Sequence, residues 1–536
     1  SRHDAHPHRR WSLAWLAVIG VGVSVVAGIL LVFSRSDDHG DKTVVLNPAA
    51  TQPISKPAAK PASAPPPPAA ADGAANNERQ QKIAEKPKTT NEQPAEKQKT
   101  PPATPSEPLG IVDEPAKALP AEKPNGMVAD KPTGEPKEPA LGIVADTPLE
   151  LYAERTKPKT EKWLGERGGT IESQQAVEDG LNWLARHQGE DGHWGADCLG
   201  TVAGSRCDQK TPCEGPGEAF EVAHTGMALL AFQAAGHYYF NGQKYSDHVT
   251  KGLNYLLEEQ TRDGSIVGSQ NPTQDQIDAG RPFQQYFMYE HAMAAFALCE
   301  ACAVAIGEGK TPDKRYLNAA EKAVQFIENV QHLDGGWRYT AGGNNPSDCS
   351  VSGWVMLALK TAREAKIKVL PGTLTRMMAF FTRHHAEDRT YYYSPSQQGT
   401  DAMTGVGMMA VEFFQHKLDS PIVTGGAAYL ADKADHRHER GALPNCDYYL
   451  FYNCTMAMFQ VGGDAWQRWN DGLRDHVISL QIQGDDCERG SWPPVDQWSG
   501  RGGRIYATSL AVLTLEVYYR FQRVAGQAEK EKFFAK

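Results

Sequence analysis

Titratable and hydroxyl side chains recur near the starts of helical segments in the C-terminal two-thirds of this sequence. The candidate residues are His224, Glu290, His291, Asp348, Ser350, Asp401, Thr404, Asn453 and Tyr506. A histidine within reach of a carboxylate can act as a general acid or base, so the pairs to test are Glu290 with His291 and His224 with Asp348. The same residue types are common helix N-caps. Catalysis, ligand binding and capping are all open, and we favour capping.

The nine cysteines allow up to four disulfides in an oxidising compartment. Three of them, Cys198, Cys207 and Cys213, lie in one Gly-rich insertion, and their proximity predicts one local disulfide. A zinc site built from them with His193 or Asp197 is the alternative. Its ligand spacings match no common zinc knuckle, so we predict no metal and no cofactor.

Periodic apolar segments begin after Trp163, and they form an internal repeat. The glutamines Gln188, Gln260 and Gln331 are 72 and 71 residues apart, and each is followed by a turn that contains Asp-Gly. An amphipathic helix precedes each turn, and three further copies are degenerate. Glycine and aspartate are suited to ending a helix, because glycine adopts positive φ and aspartate bonds to backbone groups. The pattern therefore predicts six outer helices.

A second helix follows each repeat and is apolar on nearly all sides, which indicates burial on both faces. The predicted ranges are Glu221–Gly236, Tyr289–Ala305, Ser350–Ala365, Ala402–Leu418, Tyr448–Gly462 and Arg504–Phe521. Aligned by eye, these helices share one column that contains Thr225, His291, Ser352, Thr404, Cys454 and Thr508. Six outer and six inner helices predict an all-α (α/α)6 toroid over residues 161–536, with the inner-helix N-termini at one mouth.

The segment Trp183-Leu184…Gln188…Gly192-His193-Trp194 resembles the QW repeat of the squalene cyclases and the protein prenyltransferase β-subunits. The resemblance covers about residues 163–521 and implies the terpenoid cyclase-like α/α toroid. A generic six-pair glycosidase-type barrel is the alternative fold.

The catalytic residues that this resemblance implies are largely missing. The cyclase motif Asp-x-Asp-Asp does not occur in the sequence. The prenyltransferase zinc motif resembles the segment from Asp348 to Trp354, but Ser350 stands where the cysteine ligand belongs, and Ala507 stands where the histidine belongs. Zinc favours a thiolate and an imidazole, so the inherited zinc site is predicted to be absent.

The N-terminal third predicts an anchor and a linker. Trp11 to Phe33 is a run of 23 uncharged residues, enough for a helix to cross a hydrocarbon core of about 30 Å. Arg9 and Arg10 precede it and favour a cytoplasmic tail at residues 1–10. A cleavable signal peptide is the rival reading. Residues 34–160 are rich in Pro, Ala, Lys and Glu, with 22 of the 35 prolines between Pro48 and Pro158, and predict a disordered linker.

These predictions describe a single-pass membrane protein whose toroid lies on the exported, periplasmic-type side. The net charge of −10 includes no basic block, so we exclude nucleic acid as a partner. The membrane is the predicted partner through Trp11–Phe33. The expected function is a non-enzymatic binding or scaffold domain for an unknown lipid, glycan or protein ligand. The alternatives are an isoprenoid- or lipid-processing enzyme and a glycan-cleaving or glycan-binding toroid.

Overall fold

Fourteen α-helices account for most of the residues that the computed structural model describes. Those residues are 155–199, 215–268, 286–342, 346–386, 399–435 and 446–520, with residues 152, 207, 210, 212, 213, 391, 392 and 523. All of them belong to one compact unit. The predicted anchor at 11–33 and nearly all of the linker lie outside the described residues.

Six of the described helices carry one buried stripe and solvent on the opposite side, and we call them outer helices. They are α2 (Ile171–Arg186), α4 (Ser246–Glu258), α6 (Lys314–Asn329), α8 (Pro371–Arg383), α10 (Pro421–Asp435) and α12 (Gly463–Ser479). In α6 the buried residues Tyr316, Ala320, Val324 and Ile327 recur every three or four positions, as expected for one face of a helix. Short helices α1 (Glu161–Gly165) and α14 (Val517–Arg520) flank the repeats.

The other six helices are buried on nearly every side. They are α3 (Glu221–Ala234), α5 (Phe287–Gly307), α7 (Cys349–Glu364), α9 (Asp401–Gln415), α11 (Tyr448–Val461) and α13 (Ser499–Leu515). Each packs on the next in chain order, and α13 packs on α3, so the inner helices form a closed ring. The prediction of an all-helical toroid is confirmed. A two-residue pair, β1 (Tyr391–Tyr392) with β2 (Gly399–Thr400), is antiparallel.

Four repeated glutamines each join one outer helix to the next. The amide nitrogen of Gln331 donates to the carbonyl of Gly335 at 2.8 Å and to the carbonyl of Thr373, on the following outer helix, at 3.0 Å. The same pair of bonds is made by Gln188, Gln260 and Gln481. Since Gln481 donates to Ala176 on α2, this bond links the last repeat to the first.

Side chains of the shared column on the inner helices accept backbone hydrogen bonds from the ends of four turns. The hydroxyl of Ser352 accepts the backbone N–H of Trp337 at 3.0 Å. The equivalent acceptors are Thr225 for Trp194, His291 for Ile266 and Thr508 for Trp492. These bonds satisfy buried backbone donors, which explains why these four positions of the column carry a side chain with an acceptor atom.

Helix α13 begins earlier than the sequence predicts and contains a kink. Gly503 lies inside it with φ of 62°, and a side chain there would come within 2.6 Å of the carbonyl of Pro216. The predicted start at Arg504 is therefore the first residue after the kink. Glycine is required at this position because other residues rarely adopt this conformation.

A segment before α1 packs against the C-terminal ends of the inner helices. Arg155 is 1% exposed, and its guanidinium lies 2.9 Å from Glu300 on α5 and 3.1 Å from the carbonyl of Arg520. Tyr152 donates to Glu364 on α7 at 2.8 Å. The packed part of the chain thus begins before the predicted boundary at residue 161.

Among the described helices, α5 is the one long and apolar enough to cross a membrane, and 89% of its most apolar window is buried inside the fold. Its position in the ring of inner helices accounts for its apolar composition. The described residues leave the prediction of a span at 11–33 untested.

Candidate functional site

Several predicted site residues have local structural roles. His291 accepts the N–H of Ile266 at Nδ1, and its Nε2 donates to the carbonyl of Ala323 at 3.1 Å, so both ring nitrogens bond to backbone. Burial lowers the pKa of His291 to about 4. Asp348 caps α7 by accepting the N–H of Val351 at 2.8 Å. Asp348 is therefore the N-cap of α7, and His291 links two backbone segments.

Three more candidates bond within their own region of the fold. Thr404 donates to the carbonyl of Thr400, and Asn453 donates to the carbonyl of Tyr449. Asp401 accepts the hydroxyl of Tyr429, on outer helix α10, at 2.5 Å. His224 is 2% exposed in the first turn of α3.

Ser350 and Tyr506 belong to a cluster of hydroxyls and carboxylates at the N-terminal ends of α7, α11 and α13. The hydroxyl of Ser350 donates to that of Tyr449 at 2.9 Å. The hydroxyl of Tyr506 donates to Asp496 Oδ2 at 3.2 Å, and the same oxygen accepts the N–H of Tyr448. We call Ser350, Asp447, Tyr449, Asp496 and Tyr506 the mouth cluster; each is 5–8% exposed. They are nearly buried and still touch solvent.

Asp447 is the functional candidate of the mouth cluster that the sequence analysis missed. It caps α11 by accepting the N–H of Leu450 at 2.9 Å, and Gln497 donates to its other oxygen at 2.9 Å. Burial raises the pKa of Asp447 to about 6, with a smaller contribution from the charge of Asp496. Its position directly before the predicted helix at Tyr448 was the available signal, because aspartate is a preferred N-cap.

The raised pKa of Asp447 predicts a pH-dependent contribution to stability. The folded state binds the proton at higher pH than the unfolded state does, so the charged carboxylate costs stability as pH rises from about 4 to about 6. Relative to Asp447→Asn, the wild type should lose about 2–3 kcal/mol of unfolding free energy across that window. Urea denaturation of both proteins from pH 4 to 8 measures this difference.

Asp313→Asn is the matched control. Asp313 also caps a helix, but its hydrogen bonds to Arg315 lower its pKa, so the wild type should gain stability relative to this variant as pH rises. A pH-independent difference between wild type and Asp447→Asn would show that the carboxyl titrates as it does in the unfolded chain.

A second group of acids lies beside Gly268. A methyl group built on Gly268 would lie 2.8 Å from Glu290 Oε2 and 3.4 Å from Glu221 Oε2. The two carboxylate oxygens are therefore at most about 6 Å apart, close to the separation of paired carboxylates in glycoside hydrolysis. Burial and the charge of Glu221 raise the pKa of Glu259 to about 7. The structure thus brings Glu290 together with Glu221, which the sequence analysis did not list.

The cysteines of the insertion do not form the predicted disulfide. Within the described residues, no disulfide joins Cys198, Cys207 and Cys213. Cys207 and Cys213 instead converge with His187 and Cys487, and the four ligand atoms lie within 4.8 Å of one another. Cys213 donates to Cys207 and lowers the pKa of the Cys207 thiol to about 3, while the pKa of Cys213 is raised. The sequence analysis missed this cluster because 300 residues separate His187 from Cys487.

Comparison with known proteins supports the fold class. Residues 166–303 match the family model of the squalene-hopene cyclase C-terminal domain. This match confirms the resemblance to the squalene cyclase-like α/α toroids. No curated protein matches the chain.

Several solved structures are similar over much of the chain. An inactive variant of the alpha-1,6-mannanase GH76A of Salegentibacter sp. is 7% identical, with a TM-score of 0.43 over 65% of this chain and 99% of its own. The type II terpene cyclase MstE from Scytonema is 11% identical, with a TM-score of 0.38 over 65% and 98%. The unsaturated glucuronyl hydrolase from Streptococcus agalactiae is 13% identical, with a TM-score of 0.42 over 65% and 92%. Similarity at this level does not transfer an activity.

Proposed function

We propose that this chain is a membrane-tethered, envelope-facing toroid that binds a hydroxyl-rich ligand, such as an oligosaccharide, at the inner-helix mouth. The observation that carries the proposal is the mouth cluster, where two carboxylates and three hydroxyls converge at 5–8% exposure. Carboxylates accept hydrogen bonds, and hydroxyls both donate and accept them, so together they suit a ligand made of hydroxyl groups.

Aromatic side chains near the start of α5 extend the polar site. The ring of Tyr286 lies 4.6 Å from that of Tyr339, and the guanidinium of Arg501 lies 4.4 Å above Tyr286. Tyr286 has φ of 78°, a conformation that costs energy for a residue with a side chain and is frequent at binding sites. Trp498, at the start of α13, is 49% exposed. Aromatic faces with a few directed polar groups are typical of small-molecule sites.

Buried charged residues near the C-terminal ends of the inner helices argue against an isoprenoid ligand inside the ring. Arg155, Glu300 and Arg520 are each 1% exposed there. A long apolar chain could occupy this end of the ring only by separating these charged groups from one another, which is costly. We therefore place the ligand at the mouth, and we place catalysis on isoprenoids second to binding.

The N-terminal third of the chain adds a membrane tether to the proposal. We propose that Trp11–Phe33 spans the membrane, that residues 34–160 are mostly a linker, and that an (α/α)6 toroid of six outer and six inner helices follows on the exported side. A domain on a long flexible arm reaches ligands over a wide area near the membrane.

The test uses the full chain in detergent micelles, first on an oligosaccharide array and then by isothermal titration calorimetry. Tyr506→Phe removes a hydroxyl, and Asp447→Asn replaces a carboxylate acceptor with a neutral amide, so each variant should lose one hydrogen bond to the ligand. Each loss should weaken oligosaccharide binding by about tenfold or more. Asp313→Asn, at the N-cap of outer helix α6, should bind as the wild type does. Binding of geranylgeranyl diphosphate without any oligosaccharide, or unchanged affinity in both mouth variants, would overturn the proposal.

Glycoside hydrolysis is a second candidate, and the carboxylate pair Glu221 and Glu290 favours it. Their oxygens are at most about 6 Å apart, and such pairs can supply an acid with a base or nucleophile. The bound oligosaccharides should then release new reducing ends with time, and Glu290→Gln should stop the release while leaving binding within a few-fold. Binding without release, in wild type and variant alike, retains the first candidate alone.

A further inference from the structure

Four buried side chains from three distant parts of the sequence aim their ligand atoms at one point. His187 ends α2, Cys207 and Cys213 lie in the insertion before α3, and Cys487 lies in the turn before Trp492. Nε2 of His187 lies 3.3 Å from the sulfur of Cys487 and 3.4 Å from that of Cys213. All four ligand atoms lie within 4.8 Å of one another.

The orientation of His187 is fixed for ligation. Its Nδ1 lies 2.7 Å from the carbonyl of Trp183, a contact in which Nδ1–H must be the donor. The lone pair is then on Nε2, the nitrogen that faces the sulfurs. A backbone carbonyl that holds the second ring nitrogen is the usual companion of a metal-bound histidine. The ring also stacks on Trp183 at 4.3 Å, which restricts its rotation.

We propose that His187, Cys207, Cys213 and Cys487 form a structural zinc site. Three thiolates and one imidazole are a standard tetrahedral zinc set, in which the bonds are about 2.3 Å to sulfur and about 2.0 Å to nitrogen. In a tetrahedral site with these bond lengths, the nitrogen lies about 3.5 Å from each sulfur and the sulfurs lie about 3.8 Å from one another. The distances of 3.3 and 3.4 Å from His187 Nε2 therefore fit one ion, and the full spread of 4.8 Å requires shifts of about 1 Å or less. All four positions are filled by protein, so the ion has no open position for a substrate.

A disulfide is a poorer fit to this geometry than one ion. A disulfide between any two of the cysteines would leave the third thiol and the imidazole nitrogen facing a neutral S–S bond. That bond is a weaker partner for both groups than a cation. A cation satisfies all four at once, and the soft thiolates select zinc over calcium or magnesium. Arg186 adds positive charge beside the site, because its guanidinium donates to the carbonyls of Cys487 and Arg489.

The position of the site gives the ion a defined role. It joins the first repeat to the last, at the seam where Gln481 donates to Ala176. It also fixes Cys207 and Cys213 of the insertion. The residues that follow the insertion contact the mouth side, where Glu218 forms an ion pair with Arg501 and Gly215 packs on Pro494. Metal binding to a site formed only in the folded state adds its binding free energy to folding.

The test measures the metal in the full chain, purified in detergent under mild reduction. Mass spectrometry of the intact protein and elemental analysis should find one zinc per chain, and a chelator should remove it with a fall in Tm. Co²⁺ added to the stripped protein should give the visible absorption of a tetrahedral ion and near-ultraviolet thiolate charge-transfer bands. The cobalt measurement uses the wild type, so it does not depend on whether any variant folds.

Cys487→Ser should lose at least 90% of the bound zinc and lower Tm, whereas Cys302→Ala should keep one zinc per chain. Cys302 is the matched control because it is also a buried cysteine but lies on α5, outside the cluster. Two results would overturn the proposal. One is Co²⁺ spectra without thiolate bands; the other is a disulfide between any two of the three cysteines that survives refolding with reductant and zinc.

Discussion

Glu300→Ala should lower the free energy of unfolding by about 4 kcal/mol, because it leaves buried guanidinium groups without their counter-charge. Glu300 accepts hydrogen bonds from Arg155 at 2.9 Å and from Arg520 at 3.3 Å, and all three side chains are 0–1% exposed. Burial alone opposes ionisation of Glu300, but the two arginines overcome it and lower the pKa of Glu300 below its ordinary value. Urea denaturation at pH 7 measures the loss.

The location of this network explains why the effect should be large. Arg155 also donates to the carbonyls of Arg520 and Gln233, so one guanidinium ties the segment before α1 to α3, α5 and α14. Without Glu300, neither arginine can move to solvent unless the helix ends around it separate. The protein therefore has to bear most of the desolvation cost.

Arg468→Ala is the control for this prediction. Arg468 pairs with Asp435 on the surface, where the two side chains are 46% and 39% exposed, and such a pair contributes less than about 1 kcal/mol. Replacing Glu300, Arg155 and Arg520 together by methionine should recover most of the loss, since apolar residues can replace a buried ion network. A loss below about 1 kcal/mol in Glu300→Ala would show that the arginines find other partners.

The parts of the fold that the sequence predicted are those with local signals. Gln188, Gln260 and Gln331 each mark a helix end, a turn and the next repeat within one short segment. The column through Thr225, Ser352 and Thr508 was found by aligning the inner helices, and the structure supplies its reason, since these three side chains accept the N–H at the end of a turn.

The parts that the sequence did not predict depend on contacts across the ring. His187 and Cys487 meet because the last repeat packs on the first, and no local spacing encodes that contact. Arg155 was assigned to the linker because its neighbours in sequence are prolines and lysines, although its partners lie on helices 78 to 365 residues away. Composition describes a segment's average tendency and does not identify a single arginine that packs into a distant core.

The candidate site shows the same division. The sequence places polar residue types at the inner-helix starts, but capping and ligand binding use the same types. The structure separates them by the bonds made: Asp348 and His291 are bonded to backbone, whereas the hydroxyls of Ser350 and Tyr506 bond to other side chains of the mouth cluster.

Gly335→Ala should lower the free energy of unfolding by about 3 kcal/mol, because it combines backbone strain with a steric clash. Gly335 has φ of 91°, and an added methyl group would lie 2.2 Å from the carbonyl oxygen of Arg376 on α8. The turn cannot shift freely, since Gln331 holds the carbonyls of Gly335 and Thr373 together. Urea denaturation and Tm of the variant measure the loss.

Gly342→Ala separates the two causes. Gly342 has a similar φ of 70°, but nothing lies within 4 Å of the added methyl group, so its cost should be the strain alone, about 1 kcal/mol. A methyl group added at Gly192, Gly264 or Gly490 would likewise lie 2.3–2.4 Å from a carbonyl oxygen of the next outer helix. Equal losses in the two variants would mean that neighbouring outer helices can move apart without cost, and the repeated turn would then be a local helix end. A larger loss at Gly335 would show that the close approach of this turn to Arg376 sets the distance between neighbouring outer helices.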